Sequence, residues 1–247
     1  MGSVKAIELL KGVDLFSSLD NEQLETLARL VIMQNYDKDE TIILEDDESV
    51  QALFLIAEGE VKVYMTGTDK RETILTLLGK GDFFGEMSLI DGEPRSASVK
   101  AVSPSEVLII RREHFIQQVR ATPDLAMSLL VEMSKRLRKA NRQIGSLAML
   151  TVYGRIAGTI LNLVEERGVR IHGENGKMVT VIRNRPTQKQ LAEMSGTTRE
   201  TVSRVLSQLQ KKGTLSLANK DLIILEEGDL KFTDDGKDER STLDDED

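Results

Sequence analysis

The segment GEMSLIDGEPRSA, residues 85–97, combines glycine with side chains that could hold a small anion. Arg95 can bind a phosphate group through two parallel N–H donors, and the neighbouring Ser96 adds a hydroxyl. Gly85 allows the backbone to approach a ligand closely, and a turn over 86–89 can direct backbone N–H groups at the same anion. The segment therefore predicts a phosphate-binding turn.

The carboxylate of Glu86 would repel a phosphate, so its expected partner is a hydroxyl group next to the phosphate. A ribose 2′-hydroxyl beside a 3′,5′-phosphate meets that requirement, which makes a cyclic nucleotide the favoured ligand. The alternative is a turn with a surface ion pair between Glu86 and Arg95 and no ligand. The nucleotide-binding residues predicted from this segment are Gly85, Glu86, Met87, Ser88, Arg95 and Ser96.

The stretch TQKQLAEMSGTTRETVSRVLSQLQKKG, residues 187–213, has the spacing of a helix-turn-helix. Thr187 is expected to cap a short first helix, with a turn at 195–197 and a second helix from Thr198. On the second helix the apolar positions fall on one side, which leaves a polar side free to enter a DNA groove. The members of that polar side are Arg199, Glu200, Ser203, Arg204 and Ser207.

The chemistry of this polar side suits the edges of DNA bases. Arginine can offer paired donors to guanine and glutamate can accept from the cytosine amino group, each contact giving about 1–3 kcal/mol of discrimination. We therefore predict that Arg199, Glu200 and Arg204 read sequence. The alternative is a solvated helix face with an internal pair between Glu200 and Arg204.

The run LSLANKDLIIL, residues 215–225, predicts a small β-hairpin that makes the domain winged. Lysines around the motif, Lys189, Lys211, Lys212 and Lys220, would contact phosphates without reading sequence. The complete set of predicted DNA-binding residues is Thr187, Gln188, Thr198, Arg199, Glu200, Ser203, Arg204 and Lys220.

Charge divides the chain into three parts. Residues 1–132 carry 13 Lys and Arg against 24 Asp and Glu, residues 133–225 carry 17 against 6, and residues 226–247 carry 3 against 11. A basic part between two acidic ones favours nucleic-acid binding by the second part of the chain. The last segment is acidic and nearly free of apolar residues, so we expect a disordered tail that either is simply solvated or competes electrostatically for the basic face.

Composition excludes several functional classes. The chain has no cysteine, and His114 and His172 are too few and too far apart to suggest a metal site. No apolar run approaches the roughly 18 residues of a membrane span, and the N-terminal residues do not read as a signal peptide, so a cytoplasmic protein is expected. No phosphate loop with lysine, metal cluster or nucleophile–base pair supports an enzyme.

Between Thr41 and Arg111 short β-branched or aromatic runs alternate with glycines, which predicts a compact antiparallel β-barrel or sandwich. A short amphipathic helix, capped by Asp20, precedes it. Pro123 opens a long helix with an apolar seam at steps of three and four residues, Leu130, Met133, Leu137, Ala140, Ile144 and Leu147. We interpret this seam as a dimerisation interface, the alternative being packing on its own domain.

With these motifs in place, residues 7–225 resemble the cyclic-AMP receptor protein family of bacterial transcription regulators. The similarity is specific in AEGEVKVY (57–64), GDFFGEMSLIDGEPRSASV (81–99), IGSLAMLTVYGRIAGTILNL (144–163) and TTRETVSRVL (197–206).

The resemblance implies roles for individual residues. Gly85 and Glu86 would take the positions of the family's cassette glycine and ribose-binding glutamate, and Arg95 with Ser96 those of its phosphate-binding pair. Arg199, Glu200 and Arg204 match its base-reading residues, which implies half-sites like TGTGA. The chain departs from the family where a threonine–serine pair meets adenine, since Ala140 and Asn141 stand there. Asn141, with Arg136 one turn earlier, remains able to contact a purine.

The predicted fold is therefore of the α+β class: an N-terminal, jelly-roll-like cyclic-nucleotide-binding β-roll, a long dimerisation helix and a C-terminal winged helix-turn-helix. Predicted boundaries are 1–122 for the roll with its flanking helices, 123–150 for the helix, 151–225 for the DNA-binding domain and 226–247 for the tail. The expected function is a homodimeric, cAMP-responsive regulator that binds double-stranded DNA. Alternative effectors are cGMP, a cyclic dinucleotide or none. RNA polymerase is an expected partner, with 167–177 as a contact implied by the family.

Overall fold

The computed structural model describes residues 2–47, 51–173 and 176–231. The chain divides into two compact units, Met1–Lys139 and Ala140–Asp247. The boundary falls inside one long helix, which contributes residues to both units.

The first unit contains two antiparallel sheets. Their strands are β1 (Ile32–Tyr36), β2 (Thr41–Ile43), β3 (Ala52–Glu58), β4 (Glu60–Thr66), β5 (Glu72–Gly79), β6 (Phe83–Phe84), β7 (Ser98–Ala101) and β8 (Ser105–Arg111). One sheet has the order β1-β8-β3-β6 and the other β2-β7-β4-β5. Consecutive strands β3 and β4 lie in different sheets, which gives the jelly-roll-like β-roll expected from the sequence.

Strand β3 shows why the run ALFLIA is apolar at every position. Successive side chains of a strand point to opposite faces, so Phe54 and Ile56 enter the space between the two sheets. Leu53 and Leu55 point the other way and join a second core formed with the helices. Because both faces of β3 are covered, no position alternates to a polar residue.

The helices of the first unit cover the outer face of the sheet that contains β3. They are α1 (Gly2–Lys11), α2 (Asn21–Ala28), α3 (Glu86–Asp91), α4 (Arg112–Ala121) and α5 (Pro123–Met149), with a 3-10 turn at Asp14–Phe16. The cap predicted at Asp20 is present, because its Oδ1 accepts from the Gln23 backbone N–H at 2.8 Å and the Gln23 side chain accepts from the Asp20 N–H at 3.0 Å.

The second unit packs helices against a single small sheet. Its elements are α6 (Val152–Arg167), β9 (Gly168–His172), β10 (Met178–Ile182), α7 (Gln188–Ser195), α8 (Arg199–Lys211), β11 (Leu215–Ala218), β12 (Asp221–Ile224) and α9 (Gly228–Lys231). The antiparallel strands have the order β11-β12-β10-β9. Ile156 and Ile160 of α6 share a core with Val202 and Leu206 of α8, which fixes the helix-turn-helix on α6.

The predicted fold class is confirmed, but several elements were not anticipated. α1, α4, β1 and β6 had no prediction. β1 is an edge strand whose residues are mostly exposed, so its sequence lacks a clean apolar alternation. The start of the predicted disordered tail is structured, since α9 forms there and Leu230 is 2% exposed within the core of the second unit. Residues 232–247 lie outside the described residues.

The apolar seam of α5 remains largely open in the single chain. Leu130, Leu137, Ile144 and Leu147 are between 55% and 64% exposed, whereas Met133 packs against the helical core of the first unit. This exposure fits a surface that a second copy could cover. The dimer and the bounds of the four predicted segments stay predictions.

None of the helices in the described ranges is long and apolar enough to cross a membrane.

Adjacent residues of α3 provide a test of the helical core. Leu89 is fully buried and Ile90 is 51% exposed. We expect Leu89→Ala to lower the free energy of unfolding of the first unit by about 2–5 kcal/mol, because it leaves a cavity. The matched variant Ile90→Ala should change it by less than about 0.5 kcal/mol. Urea unfolding followed by circular dichroism measures both, and equal losses would contradict the described packing of α3.

Candidate functional site

The predicted phosphate-binding turn lies at the junction of β6 and α3. Gly85 precedes α3 with φ 82°, in the left-handed region that favours glycine. A Cβ atom at this position would come within 2.8 Å of Arg95 Nη1 and 2.9 Å of the Ala52 carbonyl oxygen. Only glycine therefore allows the turn and the buried arginine to lie so close together.

Arg95 is almost completely buried beside this turn, with 5% of its surface exposed. Its Nη1 donates to the Gly85 carbonyl at 2.8 Å and its Nη2 to the Ala52 carbonyl at 3.2 Å. The guanidinium carbon lies 5.7 Å from the centre of the Phe54 ring. Burial lowers the pKa of Arg95, and nearby Asp47 and Glu86 oppose that shift. The site therefore keeps a fixed positive charge in a weakly solvated position, where attraction to an anion is strong.

Glu86 is also buried, at 3% exposure, and it contacts the long helix. Its Oε1 accepts a hydrogen bond from Nη1 of Arg136 at 3.0 Å. Its Oε2 is buried without a hydrogen-bond partner among the described residues. A buried carboxylate oxygen of this kind is uncommon, because leaving it unsatisfied costs about 1–3 kcal/mol. The alternative predicted an ion pair between Glu86 and Arg95 at the surface, and the burial of both side chains contradicts it.

Arg136 joins α5 to the strand and helix that carry the turn. Besides Glu86, it donates from Nη2 to the Phe83 carbonyl at 2.7 Å and from Nε to Glu132 at 3.3 Å. Its guanidinium carbon also lies 4.6 Å from the centre of the Phe83 ring. Arg136 therefore connects both Glu86 and Phe83 to α5.

The remaining predicted residues of the cassette lie around the same turn. Ser88 is buried and its hydroxyl is 3.4 Å from the Gly85 carbonyl, while the exposed Ser96 hydroxyl is 3.7 Å from the Met87 sulfur. Asn141 belongs to the second unit, where it is exposed on α5, so its contact with a purine stays a prediction.

A further contact between α5 and the roll was missed by sequence reasoning. Lys139 Nζ donates to the Thr76 hydroxyl of β5 at 2.8 Å. Lys139 lies three residues after Arg136 and therefore on the same side of the helix. Basic residues alternate along α5, so no sequence signal distinguished Lys139 from its neighbours.

The helix-turn-helix of the second unit has the predicted cap at Thr187, and Thr198, predicted as the start of the second helix, is its N-cap. The Thr187 hydroxyl accepts from the Gln190 backbone N–H at 3.2 Å, and the Gln190 side chain accepts from the Thr187 N–H at 2.8 Å. Gly196 ends α7 in the left-handed region, at φ 61°. The Thr198 hydroxyl then caps α8 by accepting from Thr201 N–H at 3.3 Å. Gln188 is the first residue of α7.

Helix α8 separates its apolar and polar sides as the sequence predicts. Val202, Val205, Leu206 and Leu209 are buried. Arg199, Glu200 and Arg204 are exposed and Ser203 is half-buried. Within the described residues no ion pair joins Glu200 to Arg204, so the internal pair of the alternative is absent, and base reading by this side of α8 stays a prediction.

Two residues of α6 hold the turn between α7 and α8, and neither was predicted. Arg155 donates from Nε to the Ser195 carbonyl at 3.0 Å and from Nη2 to the Gly196 carbonyl at 3.3 Å. The Ser195 hydroxyl donates to the Thr159 hydroxyl at 2.9 Å. The two bonds from Arg155 satisfy carbonyls that α7 leaves unpaired at its end. They are contacts between elements distant in sequence, which no local motif reveals.

The wing is formed by β11 and β12, and its turn carries Asn219 at φ 53° and the exposed Lys220. The Arg185 backbone N–H donates to the Lys220 carbonyl at 2.8 Å, and the Asn184 N–H donates to Asp221 at 3.1 Å. The wing turn is thus fixed beside the segment that leads into α7. Across the described ranges, no group of three or more His, Cys, Asp or Glu residues is placed to hold a metal ion.

Comparison with known families agrees with both units. Residues 33–122 match the cyclic nucleotide-binding domain family, and residues 154–232 match the Crp-like helix-turn-helix domain family. A nucleotide-binding roll followed by such a domain defines the class of ligand-responsive, DNA-binding transcription regulators.

Curated relatives narrow this class. The cAMP-activated global transcriptional regulator CRP of Pasteurella multocida is 35% identical over 183 residues, which cover 74% of this chain and 85% of the relative. The cyclic AMP receptor protein of Thermus thermophilus is 34% identical over 208 residues, covering 84% and 90%. The chain belongs to the CRP/FNR family of transcription regulators, which are not enzymes.

Solved structures show the same fold. FixK2 from Bradyrhizobium japonicum superposes with a TM-score of 0.71 at 23% identity, covering 81% of this chain and 96% of that one. The c-di-GMP-responsive global regulator CLP of Xanthomonas campestris gives a TM-score of 0.66 at 27% identity, covering 83% and 96%. The predicted family and fold class are therefore confirmed.

The clamp around the turn can be tested with Arg155→Ala. We expect it to destabilise the second unit by about 1–3 kcal/mol, because the Ser195 and Gly196 carbonyls lose their charged donor. DNA affinity should fall with it, since α7 and α8 lose their fixed angle. Urea unfolding and fluorescence anisotropy with a DNA duplex measure the two effects.

Arg142→Ala, which removes an exposed arginine from α5 in the same unit, is the matched control for lost charge. Equal stability and equal DNA affinity in both variants would show that Arg155 does not hold the turn.

Proposed function

We propose that this chain acts in the cytoplasm as a homodimer that binds cAMP in the β-roll and, in that state, binds palindromic DNA with TGTGA-like half-sites. Membership of the family does not by itself specify the effector or the DNA sequence, so both belong to this proposal. RNA polymerase is the proposed partner at the promoter, with residues 167–177 as its contact.

The observation that carries the effector proposal is Oε2 of buried Glu86, which has no hydrogen-bond partner in the part of the chain that the structure describes. A ribose 2′-hydroxyl can donate to this oxygen while the Arg95 guanidinium, aided by N–H groups at the start of α3, binds the adjacent cyclic phosphate. The two side chains thus recognise the hydroxyl and the phosphate of one sugar. Ser96 lies next to Arg95 and adds a hydroxyl to the phosphate.

The choice of cAMP rests on the curated relatives at 33–35% identity, whose names describe cAMP-activated regulators. The residues Ala140 and Asn141 differ from the family's adenine-contacting pair, so base recognition is proposed to use the Asn141 amide. One structural neighbour, described as c-di-GMP-responsive, makes a cyclic dinucleotide the second effector to test.

Transmission from the roll to DNA is proposed to run through the bond between Glu86 and Arg136. An effector whose hydroxyl donates to Glu86 shares this carboxylate with Arg136 and thereby biases the position of α5. The open seam of α5 supports pairing with a second copy along the same helix. The effector promotes DNA binding only to the extent that it prefers the DNA-competent arrangement.

The exposed side of α8 is proposed to enter the major groove, with Arg199, Glu200 and Arg204 reading base edges. Ser203, Thr198, Thr187 and Gln188 lie at or near the helix starts that would face the groove and its phosphates. In a two-fold dimer two such helices meet successive grooves about 34–36 Å apart, which requires a palindromic site.

The direct test measures cAMP binding by calorimetry and DNA binding by mobility shift on a TGTGA palindrome. We expect the wild-type protein to bind cAMP and to bind the duplex more tightly in its presence. Arg95→Leu should weaken cAMP binding by at least about 100-fold, because it removes a charge-assisted bidentate contact in a buried site. Arg95→Lys should retain part of the affinity.

Arg120→Leu, which replaces an exposed arginine at the end of α4, controls for lost charge. Circular dichroism checks that each variant is folded. Unchanged cAMP affinity in folded Arg95→Leu would overturn the pocket assignment. A wild-type protein that responds to cGMP or c-di-GMP and not to cAMP would overturn the choice of effector alone.

Base reading by α8 is tested with Glu200→Ala. We expect it to reduce discrimination by about 1–3 kcal/mol at one position in each half-site, since one acceptor to a base is lost. Selection from a randomised duplex library measures the preference at every position. Gln210→Ala, at an exposed position near the end of the same helix, is the control, and an unaltered motif with Glu200→Ala would count against base contact by this residue.

A further inference from the structure

The acidic C-terminal segment has no role in the function proposed above. Residues 232–247 read FTDDGKDERSTLDDED, with eight acidic and two basic side chains. The match to the Crp-like helix-turn-helix family ends at residue 232. Apart from its first residue, the segment therefore lies outside the part of the chain that matches this family.

The structure anchors this segment to the DNA-binding unit. Leu230 of α9 is 2% exposed and belongs to the core that contains Ile156 and Ile160 of α6. The segment that follows thus begins at a fixed point on the second unit. Sixteen residues can span up to roughly 50 Å when extended, whereas a domain of about 90 residues has a radius of gyration of about 12 Å. Every surface of the unit is within reach.

The same unit has exposed basic side chains just after β10, on α8 and its C-terminal cap, and on the wing turn. These residues, called the basic face, are Arg183, Arg199, Arg204, Lys211, Lys212 and Lys220. Among the described ion pairs none involves any of these six residues. Lys189, in contrast, is paired with Glu193 at 3.6 Å. The acidic groups that share the surroundings of the face are Glu200, in the first turn of α8, and Asp221, which accepts from the Asn184 N–H.

We propose that residues 232–247 dock on the basic face and compete there with the phosphates of DNA. Two properties make this segment the occupant of the basic face. It carries a net charge of −6, opposite in sign to the face, and it starts on the same unit. Tethering gives such a segment an effective concentration of about millimolar, which makes a weak electrostatic contact significant. The inference rests on the proposed DNA-binding face and does not depend on the identity of the effector.

Competition of this kind has a characteristic salt dependence. DNA binding releases counterions, and its affinity falls steeply with salt concentration. When an acidic segment must first leave the basic face, fewer ions are released overall and the slope becomes shallower. Docking therefore weakens sequence-independent DNA binding most strongly at low salt. Sites at which base contacts add affinity are then favoured over other DNA.

The test compares the full chain with a variant that ends at Lys231 and so keeps the Leu230 anchor. Affinity for a duplex without a TGTGA site is measured by fluorescence anisotropy between 50 and 300 mM salt, with and without cAMP. At 50 mM salt we expect the shortened protein to bind this duplex about 5–20-fold more tightly than the full chain does. At 300 mM salt the two affinities should differ by less than about twofold, so the affinity of the shortened protein falls more steeply with salt concentration.

Two further variants separate charge from length and sequence. Replacing the eight acidic residues by Asn and Gln should reproduce the effect of the deletion. A scrambled segment of the same composition should behave as the wild-type segment. A labelled peptide of residues 232–247 should bind the shortened protein and be displaced by duplex DNA.

Unchanged DNA affinity on deletion overturns the inference, as does inhibition that survives neutralisation of the eight acids. A peptide that binds without being displaced by DNA would place the segment on another surface and equally overturn it. Loss of cAMP binding in the shortened protein would also count against it, since the roll is not involved. Failure of the shortened protein to bind any duplex would instead refute the proposed DNA-binding face itself.

Discussion

A guanidinium buried beneath a turn that only glycine can form is the constraint on which the first unit depends. Arg95 gives up most of its hydration and regains part of the loss from the Gly85 and Ala52 carbonyls. A phosphate anion is a stronger partner for a guanidinium than a neutral carbonyl is. Glu86 shares the same low-polarity surroundings and keeps one oxygen unsatisfied among the described residues.

The position of Glu86 also connects the turn to the long helix α5. Arg136 satisfies the other oxygen of Glu86 and lies over the Phe83 ring, so one residue of α5 touches the strand and the helix that carry the turn. Glu86 is buried and Arg136 is partly exposed, so solvent screens the attraction between them only in part.

In the second unit the corresponding constraint is the clamp on the turn. Arg155 and Thr159 of α6 hold the end of α7, and the apolar side of α8 packs into the same core. The exposed side of α8 is thereby presented at a fixed angle, with its arginines directed to solvent. Because charge is distributed unevenly along the chain, the exposed basic residues and the acidic C-terminal segment belong to the same unit.

Local patterns in the sequence determined much of this protein. Glycine spacing predicted the roll, the Asp20 and Thr187 caps marked helix starts, and periodicity separated the two sides of α8. These signals are local because caps, turns and amphipathic faces depend on residues within one or two turns. Only the tertiary structure decided that Glu86 pairs with Arg136, that Lys139 reaches Thr76 and that Arg155 clamps a turn forty residues away. Such partners are selected by packing between distant elements, and many basic residues along α5 and α6 had the right chemistry while few had the right position.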